Sequence, residues 1–175
     1  MKNVCFRSGL MNEYSKRLVI VIEKYRALLQ TISDNTAALK PNPLKWSKKE
    51  LLGHLIDSAA NNHQRFVRIQ DKEDLIFEGY NQDFWVKISN YQNENWNNII
   101  SLWYNYNLHL AQIIGNIADE ILYKTRTSHN LHQIAFKAIP EKEPTTLVYF
   151  IEDYIDHMKY HLDQIFEDSK KHKIV

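Results

Sequence analysis

Four stretches of this chain repeat apolar side chains every three or four positions over about twenty residues or more, the period of a helix packed on one face. The first covers 12–32, where Leu18, Ile22, Tyr25, Leu29 and Ile32 step by four, three, four and three. The second covers 47–69, with Leu51, Leu55, Asn62, Phe66 and Ile69 in one stripe. The third, over 93–118, carries Trp96, Ile99, Trp103, Tyr106, Leu110, Ile113 and Ile117. The fourth, over 145–169, carries Leu147, Ile151, Tyr154, Met158, Leu162 and Ile165. At 1.5 Å per residue these helices are about 30–39 Å long, and lengths this well matched predict an all-α four-helix bundle. With four Gly and four Pro in 175 residues, the chain lacks the turns that a sandwich or barrel of short strands needs.

Local signals set the ends. Ser33-Asp34-Asn35-Thr36 closes the first helix, and Pro41 and Pro43 bar its continuation. Ser47 with Glu50 three positions on is a capping box for the second. Thr145 or Thr146, just past Pro144, caps the fourth. Two connections, 70–92 and 119–144, exceed the usual helix–helix loop and should cross the bundle end or cover a pocket mouth. The first holds a short helix near 81–88, and in the second the run from Ile134 to Ile139 reads as extended. The organisation expected is a tail (1–11), one bundle domain (12–169) and a basic tail (170–175).

Charge narrows the function classes. Twenty-two basic residues face 21 acidic ones, without the basic excess of a nucleic-acid binder. The one dense basic run, Lys170-Lys171-His172-Lys173, reads as a solvated tail. A single cysteine, Cys5, cannot form an internal disulfide. The longest apolar run, Leu18 to Ile22, is far too short to cross a membrane, and the first ten residues lack a signal-peptide core. These features lead us to expect a cytoplasmic protein with a small-molecule partner and neither nucleic acid nor membrane.

His157 and His161 stand four apart on the fourth helix, so both imidazoles share one face and can share a metal. Eight histidines make one such pair possible by chance, and the plain alternative is two hydrogen-bonded helix residues. That face borders the apolar stripe, however, and His54 on the second helix is flanked by Leu51, Leu52, Leu55 and Ile56. Three inward histidines would make a three-nitrogen site with open positions, as catalytic metals use. Other patterns are missing: His-Glu-x-x-His, paired Glu-x-x-His, a Gly-rich phosphate loop and a Gly-x-Ser-x-Gly elbow. His63, His109, His129, His132 and His172 read as structural or solvated, although His129 or His132 can reach a pocket if its loop folds over.

Trp46-Ser47-Lys48-Lys49-Glu50-Leu51-Leu52-Gly53-His54-Leu55-Ile56-Asp57-Ser58 resembles the start of the second helix in the DinB/YfiT-like family. Tyr154 to Ile165, with His-x-x-x-His followed by Gln-Ile, resembles its last helix, and Tyr80 to Val86 its pocket-proximal connection. The resemblance spans about residues 12–167. It implies an antiparallel four-helix bundle with long crossover connections, and a divalent metal, zinc or nickel, on His54, His157 and His161. It further implies a homodimer and either thiol S-transfer with a low-molecular-weight thiol or metal-dependent hydrolysis. A non-catalytic metal-binding or stress-response protein is the alternative.

Within that scheme Asp57, one turn after His54, is the candidate for orienting a ligand or accepting a proton, against the reading of a hydrogen-bonded carboxylate. Gln164 can support His161 from behind. Tyr80, Trp85 and Trp103 are candidates for the pocket wall, although aromatics in a bundle are more often plain core. Arg65 can bind a carboxylate of the thiol cofactor, and an exposed ion pair is the plainer account.

Overall fold

The computed structural model describes residues 11–171; Cys5 and 172–175, including His172, lie outside the described residues. Helix α1 spans Glu13–Leu29, capped by the side chain of Asn12 on the Ser15 N–H. It ends three residues earlier than the apolar stripe suggests. There the backbone tightens into i→i+3 bonds at Thr31 and Ile32, and Ser33 caps a separate short helix α2, Asp34–Ala38. Helix α3 spans Lys48–Arg68 and opens with the expected reciprocal bonds of Ser47 and Glu50. Helix α4 is Gln82–Ser89. Helix α5 spans Trp96–Gly115, shorter than 93–118 because the Asn95 side chain takes the Asn97 and Asn98 N–H groups as a cap. Single turns α6, Asp119–Leu122, and α7, Leu131–Ile134, follow. Helix α8 spans Leu147–Lys171. Thr146 caps it through the Tyr149 N–H, while Thr145 pairs its backbone with Arg126.

The four long helices enclose one apolar core that includes Leu18, Leu55, Phe66, Trp96, Trp103 and Met158. Neighbouring directions follow from end-to-end contacts. Asn12 donates to the Ile114 carbonyl (2.9 Å) and Trp96 Nε1 to the Leu29 carbonyl (3.1 Å), so α1 and α5 are antiparallel. Lys48 donates to the Ile165 carbonyl while Phe66 meets Phe150, so α3 and α8 are antiparallel. Lys49 reaches the Glu94 carbonyl while His63 meets His109, so α3 and α5 run parallel. Arg17 pairs with Glu152 and Tyr25 with Asp163, so α1 and α8 run parallel too. Two of the four neighbouring pairs are therefore antiparallel and two parallel. The parallel α3–α5 pair explains the long 69–95 connection, because the chain must return the length of the bundle before α5 begins.

The 116–146 connection stays near the α5–α8 end and folds along α8. Asp153 on α8 accepts the N–H groups of Phe136 (2.9 Å) and Lys137 (2.7 Å). The run 134–139 is consequently a helical turn followed by a carboxylate-bound bend, not a strand. Among the described residues β-pairing is confined to two isolated bridges, Leu75 with His129 and Arg126 with Thr145. No described helix is long and apolar enough to cross a membrane.

Candidate metal centre

His54 projects from α3, and His157 and His161 from the antiparallel α8. One nitrogen from each of the three lies within 4.8 Å of the other two. His54 Nε2 and His157 Nε2 are 3.2 Å apart. Two nitrogens bound at 2.0–2.1 Å to one tetrahedral ion would stand about 3.3 Å apart, so this spacing already suits a shared ion. Burial pulls both imidazoles down to about 3, and the neighbouring imidazoles push the same way. Burial lowers His161 as well, against the opposing pull of Gln164. All three are therefore neutral at pH 7 and present the lone pairs that a cation needs.

The tautomer of His161 is set by its neighbour. Its Nδ1 lies 2.8 Å from Gln164 Oε1, which only accepts, so Nδ1 carries the hydrogen and Nε2 is left free. The Trp46 ring covers His54 at 5.1 Å, and Phe136 covers His157 at 5.5 Å. His54 Nδ1 is buried without a partner. Among the described residues no fourth His, Cys, Asp or Glu joins the group. Three convergent, uncharged nitrogens fit a divalent ion and leave coordination positions open.

His54 and His157 open on a cavity of about 260 Å³ whose wall includes Asn62, Arg65, Tyr80 and Phe136. That volume lies just below the range of drug-sized sites and suits a small molecule.

The profile of the DinB superfamily matches residues 17–165. The chain belongs to the DinB superfamily. No curated protein sequence matches it. Among solved structures it is similar to YfiT from Bacillus subtilis, described as a probable metal-dependent hydrolase with an unusual four-helix bundle topology. The two share 18% identity over 95% of this chain and 91% of that one, with a TM-score of 0.70, a likeness of fold.

In this DinB-superfamily chain the remaining candidate residues separate. Gln164 supports His161 as described. Tyr80 is on the cavity wall, and burial raises its phenol to about 12. Trp85 is not on that wall: α4 buries Val86 instead, and Trp85 leans on Tyr80 with 37% of its surface exposed. Trp103 is wholly buried core. Arg65 is 8% exposed and on the wall, which rules out an exposed ion pair. His129 is fixed between the Glu143 carbonyl and the Leu131 N–H. The loop sends Gln133 to Phe136, rather than either of its histidines, to the cavity.

Asp57 is buried and off the cavity wall, accepting from the Tyr91 hydroxyl at 2.7 Å, and its Oδ2 has no partner. Tyr91 escaped the sequence reading, although Gly53 was its signal. Mid-helix glycine costs about 1 kcal/mol and usually marks a close approach. A Cβ on Gly53 would lie 2.1 Å from the Tyr91 ring.

Burial raises the Asp57 carboxyl to about 6, with the Tyr91 bond opposing. The folded state then keeps this proton up to about pH 6, whereas the unfolded chain releases it near pH 3.9. The contribution of Asp57 to stability is therefore greatest in acid and is lost as pH rises from about 4 to about 6. The buried histidines slope the other way, so the comparison must be with Asp57→Asn, which retains them. Urea midpoints of metal-free protein are expected to shift in favour of Asp57→Asn across this window. Parallel midpoint curves for the two proteins would show that burial leaves Asp57 unshifted.

Proposed function

We propose that this chain is a metal-dependent enzyme that acts on a small molecule, by hydrolysis or by thiol transfer. The observation that carries the reading is the convergence of His54, His157 and His161 beside a cavity on which His54 and His157 open, with no fourth ligand among the described residues. The description of the YfiT fold neighbour as a probable metal-dependent hydrolase supports the same class. When bound, a divalent ion supplies Lewis acidity that lowers the pKa of a coordinated water or thiol.

The chain's own groups then divide the remaining work. Gln164 holds His161 in the ligating tautomer. Asp57 and Tyr91 brace the turn of α3 that carries His54. Tyr80 stays protonated at neutral pH and offers a hydrogen-bond donor at the cavity wall. Phe136 and Phe150 line the cavity and exclude water from around the reacting group.

The test begins with the metal content of untagged protein, followed by turnover assays with esters and with thiol–electrophile pairs. About one zinc or nickel per chain, with turnover lost on chelation and restored by metal, is the expected result. Protein that takes up no metal after incubation with either ion would overturn the proposal.

A further inference from the structure

His54, Ser58, Asn62 and Arg65 form one row along α3, and all four line the cavity. Steps of four, four and three keep them on one helix face. The row runs from the histidine centre to a guanidinium whose backbone lies about 16 Å further along the helix.

The surroundings of that guanidinium are unusual for a buried charge. Arg65 donates to the Glu78 carbonyl at 2.7 Å and to Asn62 Oδ1 at 3.5 Å, both neutral oxygens. Asn62 is aimed there because its own amide group donates to the Ser58 carbonyl. The Phe77 and Phe150 rings stand 5.9 and 5.8 Å from the guanidinium carbon. Among the described residues no carboxylate lies within 4.0 Å of it. Burial lowers its pKa, yet an arginine stays protonated in a protein. Among the described residues, two of its five N–H groups have a hydrogen-bond acceptor. Asp153, the other charged group on the wall, has both carboxylate oxygens engaged by the Phe136 and Lys137 N–H groups and makes no ion pair with Arg65. A buried cation without a counter-ion is costly, and an anion in the cavity would offset that cost. On the far side Arg65 also borders an open groove with Arg68, Lys72 and Glu78. Two exposed cations against one acid there favour the approach of an anion.

We infer that Arg65 binds the anionic group, a carboxylate or a phosphate, of the small molecule whose other end sits at the histidines. The assignment of that other end rests on the proposed function, whereas the anion site stands on Arg65 alone. The substrate class is thus a small acid with its reacting group set apart from its charge. Asn62 acts as a positioning residue that holds the guanidinium fork toward the cavity.

The experiment uses metal-free full-length protein, so that activity is not the readout. Calorimetry and thermal shift are run with glutarate, inorganic phosphate and the neutral diamide glutaramide, on wild type, Arg65→Gln and Arg65→Lys. Glutarate or phosphate should bind wild type and raise its Tm, and the stronger of the two names the anion. Glutaramide should do neither. Arg65→Gln should weaken anion binding by about tenfold or more, and Arg65→Lys should recover part of it without the bidentate fork. Equal binding of glutarate and glutaramide, no binding of either anion by wild type, or undiminished binding by Arg65→Gln would each overturn the inference. Zinc titration of the same proteins separates the two readings. Wild-type zinc affinity in Arg65→Gln keeps the histidine centre even if the anion site fails, and zinc-silent wild type that binds glutarate keeps the anion site alone.

Discussion

Replacing His157 with alanine is expected to abolish stoichiometric zinc or nickel binding while leaving the helix content unchanged. The variant removes the imidazole nitrogen 3.2 Å from His54 Nε2 and reduces three convergent donors to two. Loss of an outer-shell partner alone costs about 10- to 100-fold in metal affinity, so loss of a ligand should cost more than about 100-fold. Helix α8 should survive, because Leu147, Ile151, Ile155, Met158, Leu162 and Ile165 bury its apolar stripe independently of the histidines. Equilibrium dialysis gives the stoichiometry and circular dichroism the helix content. Wild type should also gain about 2.7 kcal/mol of stability at metal concentrations 100 times its Kd, and the variant none. A variant that still binds one ion per chain would remove His157 from the ligand set. Collapse of helicity in the variant would make the ion a structural one.

Phe66→Ala should have the largest effect on stability. Its side chain is fully buried, with its ring edge-on to Phe150 at 6.0 Å and to Tyr154 at 5.8 Å. Truncation removes the contact that joins the far halves of α3 and α8 and leaves a cavity that rigid neighbours cannot fill. The cost should be about 3–5 kcal/mol. For a chain of this size that is a fall in Tm of about 6–20 °C, read by thermal unfolding with and without metal. His54 is three turns away, so the stabilisation by metal should persist and add to the loss. A fall in metal affinity that tracks the fall in Tm would instead mean that the two ends of the α3–α8 seam are coupled.

Much of this was legible in sequence because it rests on local rules. The capping box at Ser47 and Glu50, the i,i+4 pair His157 and His161, and the four apolar stripes all depend on spacings within a turn or two. The helix ends at Leu29 and at Trp96 were harder. There a side-chain cap, Ser33 or Asn95, outweighed an apolar pattern that continued past it. What escaped reading depends on partners distant in sequence. Tyr91 lies against Gly53, Phe136 against His157, and Asp153 binds the backbone of the 136–137 bend. The family resemblance gave the antiparallel bundle with long crossovers, and the length of the 69–95 connection was the trace of which neighbours run parallel. Arg65 was placed on the correct face, and only its plainer account, an exposed ion pair, put it in water. Periodicity gives the side of a helix, and what covers that side is decided by the connections.

The sequence separation of 103 between His54 and His157 bears on how the protein is made. A ribosome releases α1, α3 and α5 while two of the three histidines are still to be translated. Until α8 docks, a growing chain presents one of the three clustered imidazoles and an apolar trough, and contacts of such long sequence separation close late. An ion held by the three histidines would therefore bind only finished molecules and draw them out of the unfolded pool. Chains cut short before α8 would be left without that stabilisation and exposed to proteolysis.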